Sequence, residues 1–401
     1  MRPPQLRRHR SRTRHPPRDR CDPSGPREGD PRDPCGPSLE HWSRHADRDQ
    51  APPTTPDRTQ RPRMNRPRIA TFALAAALAS ALLSLALVVG PGDLSVGEVL
   101  SIIGQHIGLY GGESPAIADA LVWQLRLPRA LLALLVGAAL GSAGALTQGI
   151  FRNPLAEPGI LGISSGAALF AVLGFAFGLD AFGPWATFGL AAAGATAVLL
   201  LLLAFIGARI DIATLLLSGV ALAALASAIT TLILALATQR WDLGIRVLRW
   251  MMGSFEARSW SHLTIAAPLV GAGLGISMWI RRDLDVLFLG ADTARSLGVD
   301  LRRLHLLAIA ATGLLVGSAT ALTGIIGFVG LIVPHLARRI GGPGHRDLVP
   351  LSAALGGGLL LLVDTGTRML SSIVLPPGVV TSLIGAPAFL WILWKQRSRV
   401  I

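Results

Sequence analysis

Trp123-Gln-Leu-Arg-Leu-Pro-Arg129 runs into Leu131-Leu-Ala-Leu-Leu-Val-Gly137 and closes on Arg152-Asn-Pro-Leu-Ala-Glu-Pro158. Two arginines three residues apart stand at the mouth of an apolar helix, and a proline-bracketed polar turn stands at its far end. An arginine at the centre of a bilayer costs roughly 2.5–3.5 kcal/mol on insertion scales, so the pair belongs at a membrane surface. Residues three apart on a helix share a face, so Arg126 and Arg129 can offer a carboxylate one cationic patch. Plain flanking anchors would look the same at this point.

Composition places the whole chain in the membrane class. Its 401 residues are 51% hydrophobic with a mean hydropathy of +0.51, and 45 are glycine. Glycine and proline are commoner in membrane helices than in soluble ones. From Ile69 onward, apolar segments alternate with short polar breaks, giving spans near 69–89, 127–150, 159–179, 185–207, 212–237, 262–280, 304–323, 325–340, 348–367 and 379–394. About 20 apolar residues cross a bilayer. The expected fold class is therefore all-α, a polytopic membrane protein of about ten transmembrane helices. Residues 64–401 form its membrane domain.

Residues 1–63 differ in kind, with 15 arginines, 9 acids, many prolines and no hydrophobic run. Such a segment cannot bury enough apolar surface to offset its ordering entropy, so disorder is expected. It precedes Met64-Asn-Arg-Pro-Arg68, which reads as a natural start, and an over-extended gene start would account for it. Without it the net charge falls from +13 to +7, since 37 − 15 = 22 basic and 24 − 9 = 15 acidic residues remain. No aromatic interleaving accompanies the basic tail, so no nucleic-acid partner is expected. Cys21 and Cys35 both fall inside it, too few for a disulfide framework or a zinc site.

Basic residues set the orientation. With ten spans and both termini inside, fifteen of the 22 face the cytoplasm and seven (Arg126, Arg129, Arg240, Arg246, Arg249, Arg258 and Arg368) face out. That bias supports a multi-pass protein of the plasma (inner) membrane with cytoplasmic termini. The cluster from 240 to 258 is its awkward excess.

Two loops are long. Outside, Ser95-Val-Gly-Glu98 precedes an apolar run, a capping-box pattern that predicts a short surface helix. Inside, residues 281–303 repeat Leu284, Leu287, Phe288, Ala291, Ala294, Leu297 and Leu301 at helical spacing. Glycines at 290 and 298 divide this loop into two short helical pieces, which could coat the membrane or dock a soluble partner. An internal echo links Leu135–Thr147 with Leu315–Thr323; each leads to a proline-broken turn, and the two run in opposite directions. Inverted-repeat halves of this kind point to a transport path.

Catalytic patterns are missing. There is no His-Glu-x-x-His and no Gly-x-Ser-x-Gly, and the single lysine, Lys395, sits outside any phosphate-binding loop. The chain is read as no enzyme, with no metal site and no cofactor of its own. His335 reads as a helix-end hydrogen-bonding residue. Asp364 and Arg368, i and i+4 at the outer end of a span, either pair as structure or leave Arg368 facing outward beside Arg126 and Arg129.

Four stretches then carry a family resemblance: Trp123–Gly162; Leu289-Gly-Ala-Asp-Thr-Ala-Arg-Ser-Leu-Gly298; Thr323-Gly-Ile-Ile-Gly-Phe-Val-Gly-Leu-Ile-Val-Pro-His-Leu-Ala-Arg338; and Leu375-Pro-Pro-Gly-Val-Val-Thr-Ser-Leu-Ile-Gly-Ala-Pro387. In order and over about 69–396, they resemble the permeases of type II ABC importers, which take up iron–siderophores, haem or cobalamin. The resemblance implies ten helices per subunit and a homodimer, or a pair of related permeases, around a central path bordered by the fifth and tenth helices. It implies cytoplasmic ATPases that use ATP, and an extracytoplasmic substrate-binding protein. On that pattern Arg126, Arg129 and Arg368 receive acids of the binding protein. Leu289, Gly290, Asp292, Ala294, Arg295, Leu297 and Gly298 belong to the segment coupling to the ATPases. Departures fall at Val374 and Ala291, where the family often has an acid, and at Pro377, where an aliphatic residue is common. A ferric siderophore is the expected cargo, with cobalamin or haem as alternatives. An ion-coupled secondary carrier is the rival class, and Asp364 is its nearest mid-membrane acid.

Overall fold

The computed structural model describes residues 68–90, 92, 94–109, 114–205, 212–236, 241–369 and 375–397. The tail with both cysteines, the apolar-run flanks Arg66 and Arg209, and Val374 lie outside them. The described residues are helical throughout, in the order α1 (Arg68–Val88), α2 (Val96–His106), α3 (Ala116–Ile150), α4 (Ile163–Ala176), α5 (Pro184–Phe205), α6 (Ile212–Leu236), α7 (Trp241–Met251), α8 (Trp260–Leu287), α9 (Ala291–Ser296), α10 (Leu301–Thr323), α11 (Val329–Gly341), α12 (His345–Met369) and α13 (Pro377–Arg397). Seven of them are long and apolar enough to cross a membrane, and two shorter apolar stretches, Ala73–Val88 and Ile163–Ala176, add to these.

Helix α3 stands at the centre with α10, and α12, α8 and α11 pack around α3. What lets them approach is the absence of side chains. A Cβ on Gly137 would meet the Gly356 carbonyl of α12, and one on Gly144 would overlap the Gly330 carbonyl of α11 at 1.9 Å. Small residues give membrane helices this contact where no hydrophobic force separates lipid from protein. The echoing segments Leu135–Thr147 and Leu315–Thr323 thus sit on the two central helices, buried over nearly all their length.

Three predicted boundaries move. The span at 127–150 begins at Ala116, because Ala120–Arg126 forms a π-helical turn that carries the helix straight through Leu-Pro. Proline at the start of the regular segment removes only a hydrogen bond that the π turn already forgoes. The span at 262–280 continues to Leu287, so the first half of the expected two-piece inner loop is the end of α8, and the loop proper is 288–300 around α9. Arg281 and Arg282 end the apolar stretch but not the helix, as long basic side chains can leave the helix for the interface. The span at 325–340 shortens to the 13 residues of α11, about 20 Å at 1.5 Å per residue and too short to cross. Helix α7 was not predicted at all.

Candidate functional site: an arginine cluster and an opposite knob

Helix α3 brings Arg126 and Arg129 to the end read as outer, and the last turn of α12 brings Arg368 to the same place. Between them lies Asp364, fully buried. Arg129 donates from Nε to both carboxylate oxygens (3.0 and 3.1 Å) and from Nη2 to Oδ1 at 2.8 Å. Arg368 Nε stands 3.4 Å from Oδ2. Of the two alternatives for Asp364 and Arg368, the structural pairing is the one seen: Arg368 stands beside the other two arginines, but its side chain is 11% exposed and turned inward, not outward.

The cluster is also a staple. Arg126 is only 4% exposed and donates to the carbonyls of Leu87 (2.7 Å), Val88 (2.9 Å) and Gly92 (3.1 Å). Arg368 donates to the carbonyls of Val89 (2.9 Å) and Ala86 (3.2 Å). Ala86, Leu87 and Val88 are in the last turn of α1, whose carbonyls lack intrahelical donors and favour cations, and Val89 and Gly92 belong to the chain just after it. Two of the three arginines are thus committed to ending α1, and Arg129, 20% exposed at its side chain, is the most open. Among the described residues, three guanidinium groups stand around this one carboxylate.

The capping-box helix appears as read: Ser95 Oγ accepts from the Glu98 backbone N–H, and Glu98 accepts from the Ser95 N–H at 2.7 Å. These bonds hold the Glu98 carboxyl below its ordinary value. Helix α2 is fastened to α3 by His106, stacked on Trp123 with centroids 4.0 Å apart, and Trp260 Nε1 reaches the Trp123 carbonyl at 2.7 Å.

At the opposite end, Gly290 (φ 117°) and Gly298 (φ 84°) bracket α9 in backbone conformations that other residues rarely adopt. Ala294 is fully buried and anchors the knob, whereas Phe288, Leu289 and Leu297 are more than half exposed, and Asp292 pairs with Arg295 at 2.7 Å. The exposed apolar side chains are what a soluble partner could cover. Asp285, just before this loop, accepts from the His345 backbone N–H, from His345 Nδ1 (2.9 Å) and from the Arg346 N–H (3.3 Å), tying the stem of the knob to the start of α12.

Between the two ends, α7, the turn 324–328 and α13 enclose a largely apolar cavity of about 570 Å³ lined by Met251, Met252, Ile325, Val379, Ser382 and Leu383. His335 is not at a helix end: it lies inside α11, and its Nε2 is buried without a hydrogen-bond partner. Among the described residues no three His, Cys, Asp or Glu side chains gather as a metal site.

Known proteins resemble this chain in sequence and in fold. The chain is 42% identical over 316 residues to the vitamin B12 import system permease protein of Citrobacter koseri, covering 76% of this chain and 94% of that one. Its counterpart in Escherichia coli O9:H4 is 41% identical over 312 residues, 75% and 94% of the two chains. A solved structure described as an inward-facing conformation of a putative metal-chelate type ABC transporter superposes with a TM-score of 0.72 at 32% identity, over 82% of this chain and 99% of that one. Residues 77–395 match the model of the FecCD transport family, and the chain belongs to that family of ABC importer permeases.

Proposed function

We propose that this permease carries a corrinoid of the cobalamin type. What supports the reading is the near full-length similarity to vitamin B12 permeases from several enterobacteria, at 39–42% identity, against 32% for the metal-chelate transporter. The largely apolar cavity suits a bulky ligand held by shape rather than by charge. A ferric siderophore is the competing cargo on the same scaffold.

In this reading a substrate-binding protein sets acidic side chains against the Arg126–Arg129–Arg368 patch, and cytoplasmic ATPases grip the knob from Leu289 to Gly298. A second permease subunit covers the exposed faces of α6 (Leu217, Leu225, Leu232) and α13 (Leu383, Ile384, Leu390), and lipid covers the rest. Asp285 of α8 holds the first residues of α12 and Asp364 lies in its last turns, so movement of the knob reaches the docking patch along one helix. Asp364 is ion-paired with Arg129 and fully buried, which leaves a proton-carrying role no open path. Proteoliposomes containing the permease with its ATPase and binding protein test the proposal, supplied with labelled cobalamin, ferric siderophore or haem. ATP-dependent accumulation of cobalamin alone is expected; accumulation of a ferric chelate instead overturns the cargo, and uptake without ATP overturns the mechanism.

A further inference from the structure

Beneath the outer ends of α4, α5, α7, α8 and α10 lies a second, smaller cavity of about 150 Å³, lined by Phe175, Phe188, Trp250, Arg258 and His262. Its polar side chains are the Thr187 hydroxyl, the Arg258 guanidinium and the His262 imidazole, and none of them is a carboxylate. His262 is 6% exposed and serves as the third residue of α8, where its Nδ1 accepts the backbone N–H of Ser259 at 3.3 Å and lies 3.0 Å from Ser259 Oγ. A ring nitrogen that accepts a backbone N–H carries no proton, so the imidazole is neutral and its hydrogen is on Nε2. Arg258 Nη1 stands 3.5 Å from that Nε2, donor facing donor, and so the contact satisfies neither.

The guanidinium has nothing else. Arg258 Nε is buried without a hydrogen-bond partner, and no carboxylate among the described residues is within ion-pair distance. Burial pushes its pKa below the ordinary value with no carboxylate offsetting it. A half-buried guanidinium whose Nε is buried without an acceptor has lost hydration it does not recover, and two converging N–H groups beside the N-terminus of the 28-residue α8 define a place for negative charge. We infer that the Arg258–His262 cavity is a binding site for a small inorganic anion, chloride foremost, held between Arg258 Nη1 and His262 Nε2. The anion clamps the start of α8 against α4, α5 and α10. Aromatic walls restrict the site to a small, weakly hydrated anion. Trp185 is stacked on His262 with centroids 4.7 Å apart and keeps the ring in register. The site lies apart from the arginine patch and is independent of the cargo.

The test uses the purified full chain in lipid nanodiscs. Sodium chloride replaces sodium gluconate at constant ionic strength while thermal unfolding is followed. The wild type should gain stability saturably with chloride, Arg258→Gln should show no dependence, and Arg258→Lys should keep a weaker one. Crystals grown in sodium bromide give a reading that does not depend on any variant folding, with an anomalous peak expected between Arg258 and His262. A chloride-independent wild type, an equal chloride response in Arg258→Gln, or bromide crystals without that peak overturns the inference. So does Arg258→Gln losing affinity for the binding protein while the wild type ignores chloride, which assigns these donors to a docking carboxylate.

Discussion

Asp364→Asn is the most informative single change in this molecule. The substitution keeps the shape and one acceptor but removes the carboxylate set among Arg126, Arg129 and Arg368. Removing one member of a buried ion pair costs about 3–5 kcal/mol, most of it from the charge left behind. Arg129 keeps a fifth of its side-chain surface exposed, so the lower end applies, about 3 kcal/mol. That is about two orders of magnitude in the folding equilibrium. Reversible unfolding in mixed micelles with rising dodecyl sulfate fraction measures it. A cycle with Arg129→Gln isolates the pair, and the coupling should be about 1–3 kcal/mol, because each single variant leaves its partner unsatisfied. An Asp364→Asn variant within about 0.5 kcal/mol of wild type, or an additive cycle, refutes the counter-ion role.

Other expectations follow from equally local geometry. Arg126→Met should cost about 3 kcal/mol, since two α1-end carbonyls and that of Gly92 lose a charged donor, each such bond being worth roughly 1.5–3 kcal/mol without full additivity; protease sensitivity near residue 90 should rise in parallel. It follows that acidic replacement of Arg126 disturbs folding as well as docking; Arg129→Gln also unpairs the buried Asp364, so its expected loss of binding-protein affinity, at least tenfold by surface plasmon resonance, is read beside the stability of the same variant. Gly144→Ala should be more damaging than most alanine substitutions, about 3 kcal/mol or more from overpacking, because its Cβ would sit 1.9 Å from a backbone oxygen that cannot move aside. Leu297→Asp should leave thermal unfolding unchanged but abolish substrate-stimulated ATP hydrolysis in the assembled complex, since Leu297 is exposed and makes no core contact. The capping box has a sign in pH: Glu98 is held below its ordinary value, so its support for α2 is full above the ordinary carboxylate pKa and lost as pH falls through the lowered one; amide exchange at the start of α2 should rise there, and Glu98→Gln should raise it at neutral pH.

Hydrophobic patterning located the long helices because each must show lipid or a neighbour an apolar surface, and the signal is carried in consecutive residues. It failed where the deciding contact is remote. The Arg126 partners are backbone carbonyls 34–39 residues away, and carbonyls have no sequence signature. Helix α7 was lost for the opposite reason. Its arginines read as a loop of misplaced charge, although Leu243, Val247 and Trp250 recur at helical spacing and bury one face while Arg246 reaches Asp180. A window of 11 residues scanned for amphipathic rather than apolar helices would have found it. On the inner loop the apolar spacing put Ala294 and Leu297 in one set, and the structure divides them, Ala294 buried and Leu297 exposed.

The placement of α12 links these pieces into a mechanism. Its first residues are held to the stem of the knob through Asp285, its last turn supplies Asp364 and Arg368, and its middle lies against α3 at Gly356 and Gly137 with no side chain between them. Glycine contacts permit sliding or rocking about a close axis but not separation, so under the proposed coupling a push at the knob would be delivered to the arginine patch rather than absorbed. Asp285→Asn weakens only the inner fastening, by loss of the charge that receives three donors at the start of α12. The expected result is a folded permease whose ATPases hydrolyse ATP at the wild-type basal rate, while the binding protein no longer stimulates them. If stimulation and uptake both survive that change, α12 is not the strut, and the two ends communicate through the central pair α3 and α10 instead.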